Sequence, residues 1–245
     1  MYRRDFLKNM GVATGASIIP FLRYLPAEAA GRSDTLVVVS GHGINSLDLH
    51  RKGTNRPSYQ VTVNIYDRLV RFGVKSLEDG SMAYDSTKIE PEVAKSWTIS
   101  KDGKSLTFKI NPKAKFWDGA PVTAHDVKWS FDRAVSLGGF PAVQMKAGSM
   151  TKPEQFVVVD DMTFRIDLPK PSKLTLPDLA VPIPFIINSK VAKAKATKKD
   201  PWATEYLHKN AAGSGAYKLT RWDPGQQFVY TRNDNWALGK KPGVK

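Results

Sequence analysis

Residues 91–135 read PEVAKSWTISKDGKSLTFKINPKAKFWDGAPVTAHDVKWSFDRAV, and their spacing decides the fold class. In SLTFKI, Leu106, Phe108 and Ile110 alternate with Ser105, Thr107 and Lys109, the pattern of an antiparallel strand with one face in a core. The KDGK before it, with Asp102 and Gly103, predicts a hairpin turn. A second turn falls at Asp118 and Gly119. Thr123 then stands one residue before Ala124 with Asp126 three positions on, a capping-box spacing that starts a helix. That helix carries Ala124, Val127, Phe131, Ala134 and Val135 on one face. The stretch thus mixes strand hairpins with a capped helix.

Working outward, FVVV and TFRIDL flank a turn at Asp160 and Asp161, and Phe164, Ile166 and Leu168 alternate again, so a second hairpin follows. Toward the N-terminus, TLVVVS at 35–40 is β-branched and closed by Gly41, and is expected as a buried strand. After turn formers Gly53, Asn55 and Pro57, Ser58 is expected to cap a helix bearing Val61, Ile65 and Leu69. Toward the C-terminus, Pro169, Pro171, Pro177, Pro182 and Pro184 forbid a regular helix and mark an extended crossing between domains. Lys190, Lys193, Lys195, Lys198 and Lys199 form a basic run expected on a helix. Gly213 and Gly215 allow a tight bend before Tyr217. Residues 217–221 and 228–232 read as strands joined at Asp223, Pro224 and Gly225.

The chain has 245 residues, 41% hydrophobic and 24% charged, enough for a sizeable core. Its 37 basic and 23 acidic residues give +14, which admits nucleic acid, anionic membranes and acidic solutes as partners. There is no cysteine, which excludes disulfides, cysteine-held zinc or iron–sulfur clusters, thiol nucleophiles and a lipidated cysteine. At the N-terminus, Arg3 and Arg4 followed by Asp5, Phe6, Leu7 and Lys8 resemble the twin-arginine export signature. The apolar stretch 11–22 is too short for a bilayer core needing about 20 residues, and Ala27 and Ala29 complete an A-x-A site. Residues 1–29 are therefore expected to be a twin-arginine signal peptide cleaved after Ala29, with Ala30 as the next choice, sending the protein to the periplasm. Loss of the first 30 residues removes four of the 37 basic and two of the 23 acidic residues, leaving +12.

Catalysis finds little support. His42, His50, His125 and His208 are scattered without H-x-H or H-E-x-x-H spacing, and no P-loop, G-x-G-x-x-G or G-x-S-x-G is present. No cofactor, no metal and no catalytic residue are expected. The two rivals are an exported cofactor-dependent oxidoreductase, which lacks a cofactor fingerprint, and a basic nucleic-acid-binding protein. The second rests on the lysine run, which has no interleaved aromatics for base stacking. Phe116, Trp117, Trp129 and Phe131 fall at core spacings instead.

Three segments together resemble the extracytoplasmic solute-binding proteins of ABC importers, peptide/nickel class (family 5). They are IYDRLVRF at 65–72, the whole 91–135 stretch, and GSGAYKLTRWDPGQQFVYTRNDNWALGKKP at 213–242. Ser214 and Ala216 depart from the family's Thr and Pro, Asn235-Trp236 from Tyr-Trp, and Leu49 from the Pro of Leu-Asp-Pro. The resemblance implies an α/β, two-lobed periplasmic-binding-protein type II fold with mixed sheets. Residues 30–70 and 181–245 would form an incomplete first-lobe core, with 71–180 an inserted small domain of hairpins and a capped helix. Family members are roughly twice this length, so the chain is expected to stop before the second large lobe. The implied function is non-enzymatic: a monomeric periplasmic subunit that captures peptides or similar small solutes for membrane permease subunits, without nucleic acid. The lobes would close on an extended ligand by hinge motion. The first-lobe wall is expected from His42, Gly43, Asn45, Asn55, Arg56 and Ser58, with Phe140 as the covering aromatic.

Overall fold

The computed structural model describes residues 34–245. Its contacts divide the chain between Val38 and Val39. The predicted export signal and cleavage residues lie outside the described residues.

Residues 35–40 do not form the expected strand. Among the described residues they enter no ladder, and Leu36, Val38 and Val39 are exposed. β-branched composition favours a pleated surface but supplies no partner, and pairing is non-local.

The first helix, α1 (Arg56–Ile65), is capped by Asn55 rather than Ser58: the Asn55 side chain accepts the Ser58 N–H at 3.3 Å. Pro57 sits in the first turn, where its missing N–H costs nothing, so the helix starts two residues before Ser58. Val61 and Ile65 are fully buried; Leu69 is too, but beyond the helix end. Two strands follow that the sequence reading missed, β1 (Val70–Ser76) and β2 (Met82–Pro91), an antiparallel ribbon with a bulge between Phe72 and Gly73.

The 91–135 stretch folds as read. β3 (Ala94–Ile99) and β4 (Ser105–Ile110) pair antiparallel, with Leu106, Phe108 and Ile110 buried. In α2 (Ala124–Ser136) the Asp126 carboxylate accepts both the Thr123 N–H at 3.0 Å and the Thr123 hydroxyl at 2.8 Å. Val127, Phe131 and Ala134 are buried, and Val135 only partly. The second hairpin, β5 (Phe156–Asp160) and β6 (Thr163–Asp167), joins the first in one sheet of order β3-β4-β6-β5. Phe131 of α2 packs edge-on to Phe156 and Phe164, so helix and sheet share one aromatic core.

α3 (Phe140–Ala147), for which the sequence reading offered no element, starts directly after Gly138 and Gly139, with Pro141 in its first turn. Both glycines have positive φ, +68° and +70°, turning the chain sharply out of α2. The proline-rich crossing admits one helical turn after all, α4 (Thr175–Asp178), with Pro177 inside it. In the lysine run only α5 (Ser189–Lys193) is helical; Lys195, Lys198 and Lys199 lie beyond it. α6 (Thr204–Lys209), also unforeseen, precedes the predicted hairpin β7 (Tyr217–Asp223) and β8 (Gln227–Arg232).

Candidate functional site

The loop after residue 40 is knotted to the start of α1 by the residues expected to form a ligand wall. The Asn45 side chain donates to the Gly53 carbonyl at 2.9 Å and accepts the Asn55 N–H at 2.9 Å. Asn55 donates to the Gly43 carbonyl at 2.9 Å and accepts the Ser58 hydroxyl at 2.8 Å. The polar atoms of Asn45, Asn55 and Ser58 thus serve one another. His42, Gly43 and Arg56 are exposed, and so is Phe140 at 55%. Phe140 reaches the same neighbourhood, its ring edge-on to Tyr59 of α1 at 6.3 Å. The side chain of Lys52 packs under Gly138 and Gly139, where a Cβ on Gly139 would come within 3.0 Å of it.

A groove of about 740 Å³ runs between this loop, the C-terminal end of α6 and strand β7. Asn45 is the sole predicted wall residue on it. Ile44 and Leu47 give an apolar floor, and His208, Lys209, Arg221 and Trp222 form the far side. His208 and Trp222 meet edge to face at 6.4 Å.

Beneath the wall, the three motif segments converge on one junction. Gly215 donates its N–H to the Ile65 carbonyl at 3.1 Å, and Tyr66 accepts the Ala212 N–H at its hydroxyl. Trp117 donates its main-chain N–H to the Gly213 carbonyl and its indole N–H to the Gly215 carbonyl, which also accepts from Asn233. The Trp236 indole donates to Asp67 at 3.1 Å. Burial, with the nearby Glu92 carboxylate adding to it, pushes the Asp67 carboxyl up to about 7 against those hydrogen bonds. Gly213 and Gly215 have no positive φ. A Cβ at Gly213 would lie 1.9 Å from the Ile65 carbonyl oxygen, so space rather than a bend requires glycine there.

Sequence reasoning overlooked the most deeply buried charge pair. Arg133 of α2 holds both oxygens of Asp48, at 2.7 and 2.5 Å, with both side chains fully buried, and its Nε donates to the Trp202 carbonyl. Arg133 lies outside the face of α2 read from Ala124, Val127, Phe131, Ala134 and Val135, yet it is fully buried. His50 beside it packs tilted against Phe185, ring centres 4.3 Å apart, and donates from Nε2 to the Ile183 carbonyl. Burial pushes this imidazole down to about 4, so it is neutral near pH 7. The other histidines play no common part; His125 is exposed beside Asp161.

Residues 88–245 match the family model for the bacterial extracellular solute-binding proteins, family 5. The probable D,D-dipeptide-binding periplasmic protein DdpA of Escherichia coli is 35% identical over 219 residues, 89% of this chain and 39% of that protein. Among solved structures, DppA from Helicobacter pylori in complex with the peptide STSA matches at a TM-score of 0.63 and 26% identity, over 80% of this chain and 38% of that one. AgaA from A. tumefaciens R10 with agropinic acid matches at 0.62 and 27%, over 79% and 35%. The chain thus spans about two fifths of the length of these relatives. With its α/β architecture, its three converging motif segments and a family match over more than half its length, the chain belongs to the bacterial extracellular solute-binding proteins, family 5.

Proposed function

We propose that the protein is the periplasmic substrate-binding subunit of an ABC importer and captures peptides or similar small solutes without chemical change. The carrying observation is the family match joined to relatives named for dipeptide and peptide binding. The exposed His42, Gly43, Arg56 and Phe140 are the contact residues of the first wall, and Asn45, Asn55 and Ser58 hold that wall in shape. A loop so cross-bonded presents backbone groups in a fixed array, which suits peptide main chain better than any one side chain. Residues 30–70 and 181–245 belong to one lobe with 71–180 inserted. The Ile186 N–H donating to the Asp67 carbonyl at 2.9 Å, and the antiparallel bridge of Arg68 with Phe185, support that reading. Membrane permease subunits are the partners, and the binding protein acts as a monomer.

A thermal-shift screen of the protein at its natural length against di- and tripeptides, opines and metal chelates tests this. A peptide at about 100 times its Kd is expected to add about 2.7 kcal/mol of stability. No shift with any class, together with retention on DNA at physiological salt, would overturn the reading.

Export proceeds by the twin-arginine route, with residues 1–29 as the signal. The supporting observation is the order of Arg3-Arg4, Phe6, Leu7 and Lys8, the apolar stretch and the Ala27/Ala29 site. Replacing Arg3 and Arg4 by lysine is expected to leave precursor in the cytoplasm on fractionation. Normal export of that variant would assign the general secretory route instead.

A further inference from the structure

We infer that the lysine-rich segment 190–199 is an electrostatic contact surface for an anionic phospholipid bilayer. The inference rests on the periplasmic placement proposed above and is independent of ligand identity. In α5, Lys190 and Lys193 stand three residues apart and share an exposed face, while Ser189 and Ala192 are buried. Beyond the helix, Lys195 is held with its ammonium 5.7 Å from the centre of the Tyr206 ring. Thr197 and Asp200 exchange main-chain hydrogen bonds at 3.0 and 3.1 Å, closing a turn with Lys198 and Lys199 at its tip. All five lysines are exposed, and none forms an ion pair among the described residues. The neighbouring carboxylates make their named contacts elsewhere. Asp132, which senses Lys193, is paired with Lys128 at 3.0 Å, and Asp200 accepts the Glu205 N–H at 2.9 Å. Residues 190–199 contain five lysines and no acidic residue, so the segment carries a net positive charge.

The residue types select the partner. Protein interfaces favour arginine and aromatics and are poor in lysine, because a planar guanidinium makes paired bonds to a carboxylate and an ammonium does not. This segment has no arginine and does not line the groove described above. Single-stranded nucleic acid requires stacking platforms, and Tyr206 is already covered by Lys195. Compact ammonium groups on flexible stems match the smeared negative charge of a lipid surface, where each lysine is worth about fivefold in partitioning (about 1 kcal/mol).

The test is co-sedimentation of the exported form, without residues 1–29, with phosphatidylcholine vesicles lacking or containing about 30 mol % phosphatidylglycerol at low salt. Binding is expected only to the anionic vesicles, with release in about 0.5 M NaCl as screening sets in. The variant K190Q/K193Q/K198Q/K199Q should weaken that binding by about six-hundredfold at the same per-lysine factor. A control with equal charge loss, K75Q/K101Q/K115Q/K152Q, removes exposed lysines elsewhere and should keep most of it. Equal loss in the two variants would overturn the proposal in favour of net charge alone. So would equal binding to neutral vesicles, or binding that requires permease subunits in the membrane, which would make this a protein-docking face.

Discussion

Replacing Arg133 by methionine is expected to cost about 3–5 kcal/mol of folding stability, the range for breaking a buried ion pair from one side. The guanidinium joins three separate parts of the chain: α2, the loop at Asp48 and the main chain at Trp202. Without it, Asp48 retains the His50 N–H at 2.9 Å but is left as a fully buried, uncompensated charge. The aliphatic stem of methionine fills much of the arginine's volume, so the loss reports charge more than cavity. Urea unfolding followed by tryptophan fluorescence measures it, as a lower midpoint at unchanged m. The double variant D48L/R133M should recover most of the loss, because an apolar pair of similar volume removes the desolvation penalty of both groups. A single-variant loss below about 1 kcal/mol, the level of an exposed pair, would show that water reaches this pair in solution.

What the sequence made legible follows the range of the interactions involved. The alternation of Leu106, Phe108 and Ile110, the Thr123–Asp126 helix start and the turns at Asp102-Gly103 and Pro224-Gly225 are local, and all appear in the fold. Residues 35–40 have the composition of a core strand, but composition names no partner, and they stand exposed. The β1–β2 ribbon was missed for the opposite reason: Val74, Met82 and Tyr84 are exposed, and β2 has no clean alternation to read. At the candidate wall, Asn55 was legible as a turn former and Ser58 as a cap, whereas their exchange of roles depends on Pro57 fixing the first turn. The Asp48–Arg133 pair joins residues far apart in sequence. No periodicity could report it, although Asp48 lies beside a departure from the family pattern at Leu49.

The second large effect is expected at Gly213, where alanine should cost about 4 kcal/mol or more, the exceptional end of single substitutions. The reason is proximity. A Cβ there would stand 1.9 Å from the Ile65 carbonyl oxygen and 2.9 Å from the Trp117 ring. Neither neighbour can withdraw cheaply, since the Ile65 carbonyl accepts the Gly215 N–H and Trp117 donates its N–H to the Gly213 carbonyl. Moving the segment by an ångström breaks both bonds and exposes the junction that ties α1 to β7. Gly225 supplies the contrast: its φ is +76°, but nothing lies within 4 Å of a Cβ there. Alanine at Gly225 should therefore cost only the left-handed conformation, about 1 kcal/mol. In thermal unfolding of a chain this size, at about 2–4 °C per kcal/mol, the two variants should separate by at least about 6 °C. A Gly213→Ala protein melting within about 2 °C of Gly225→Ala would mean that the three motif segments do not meet as closely as this junction requires.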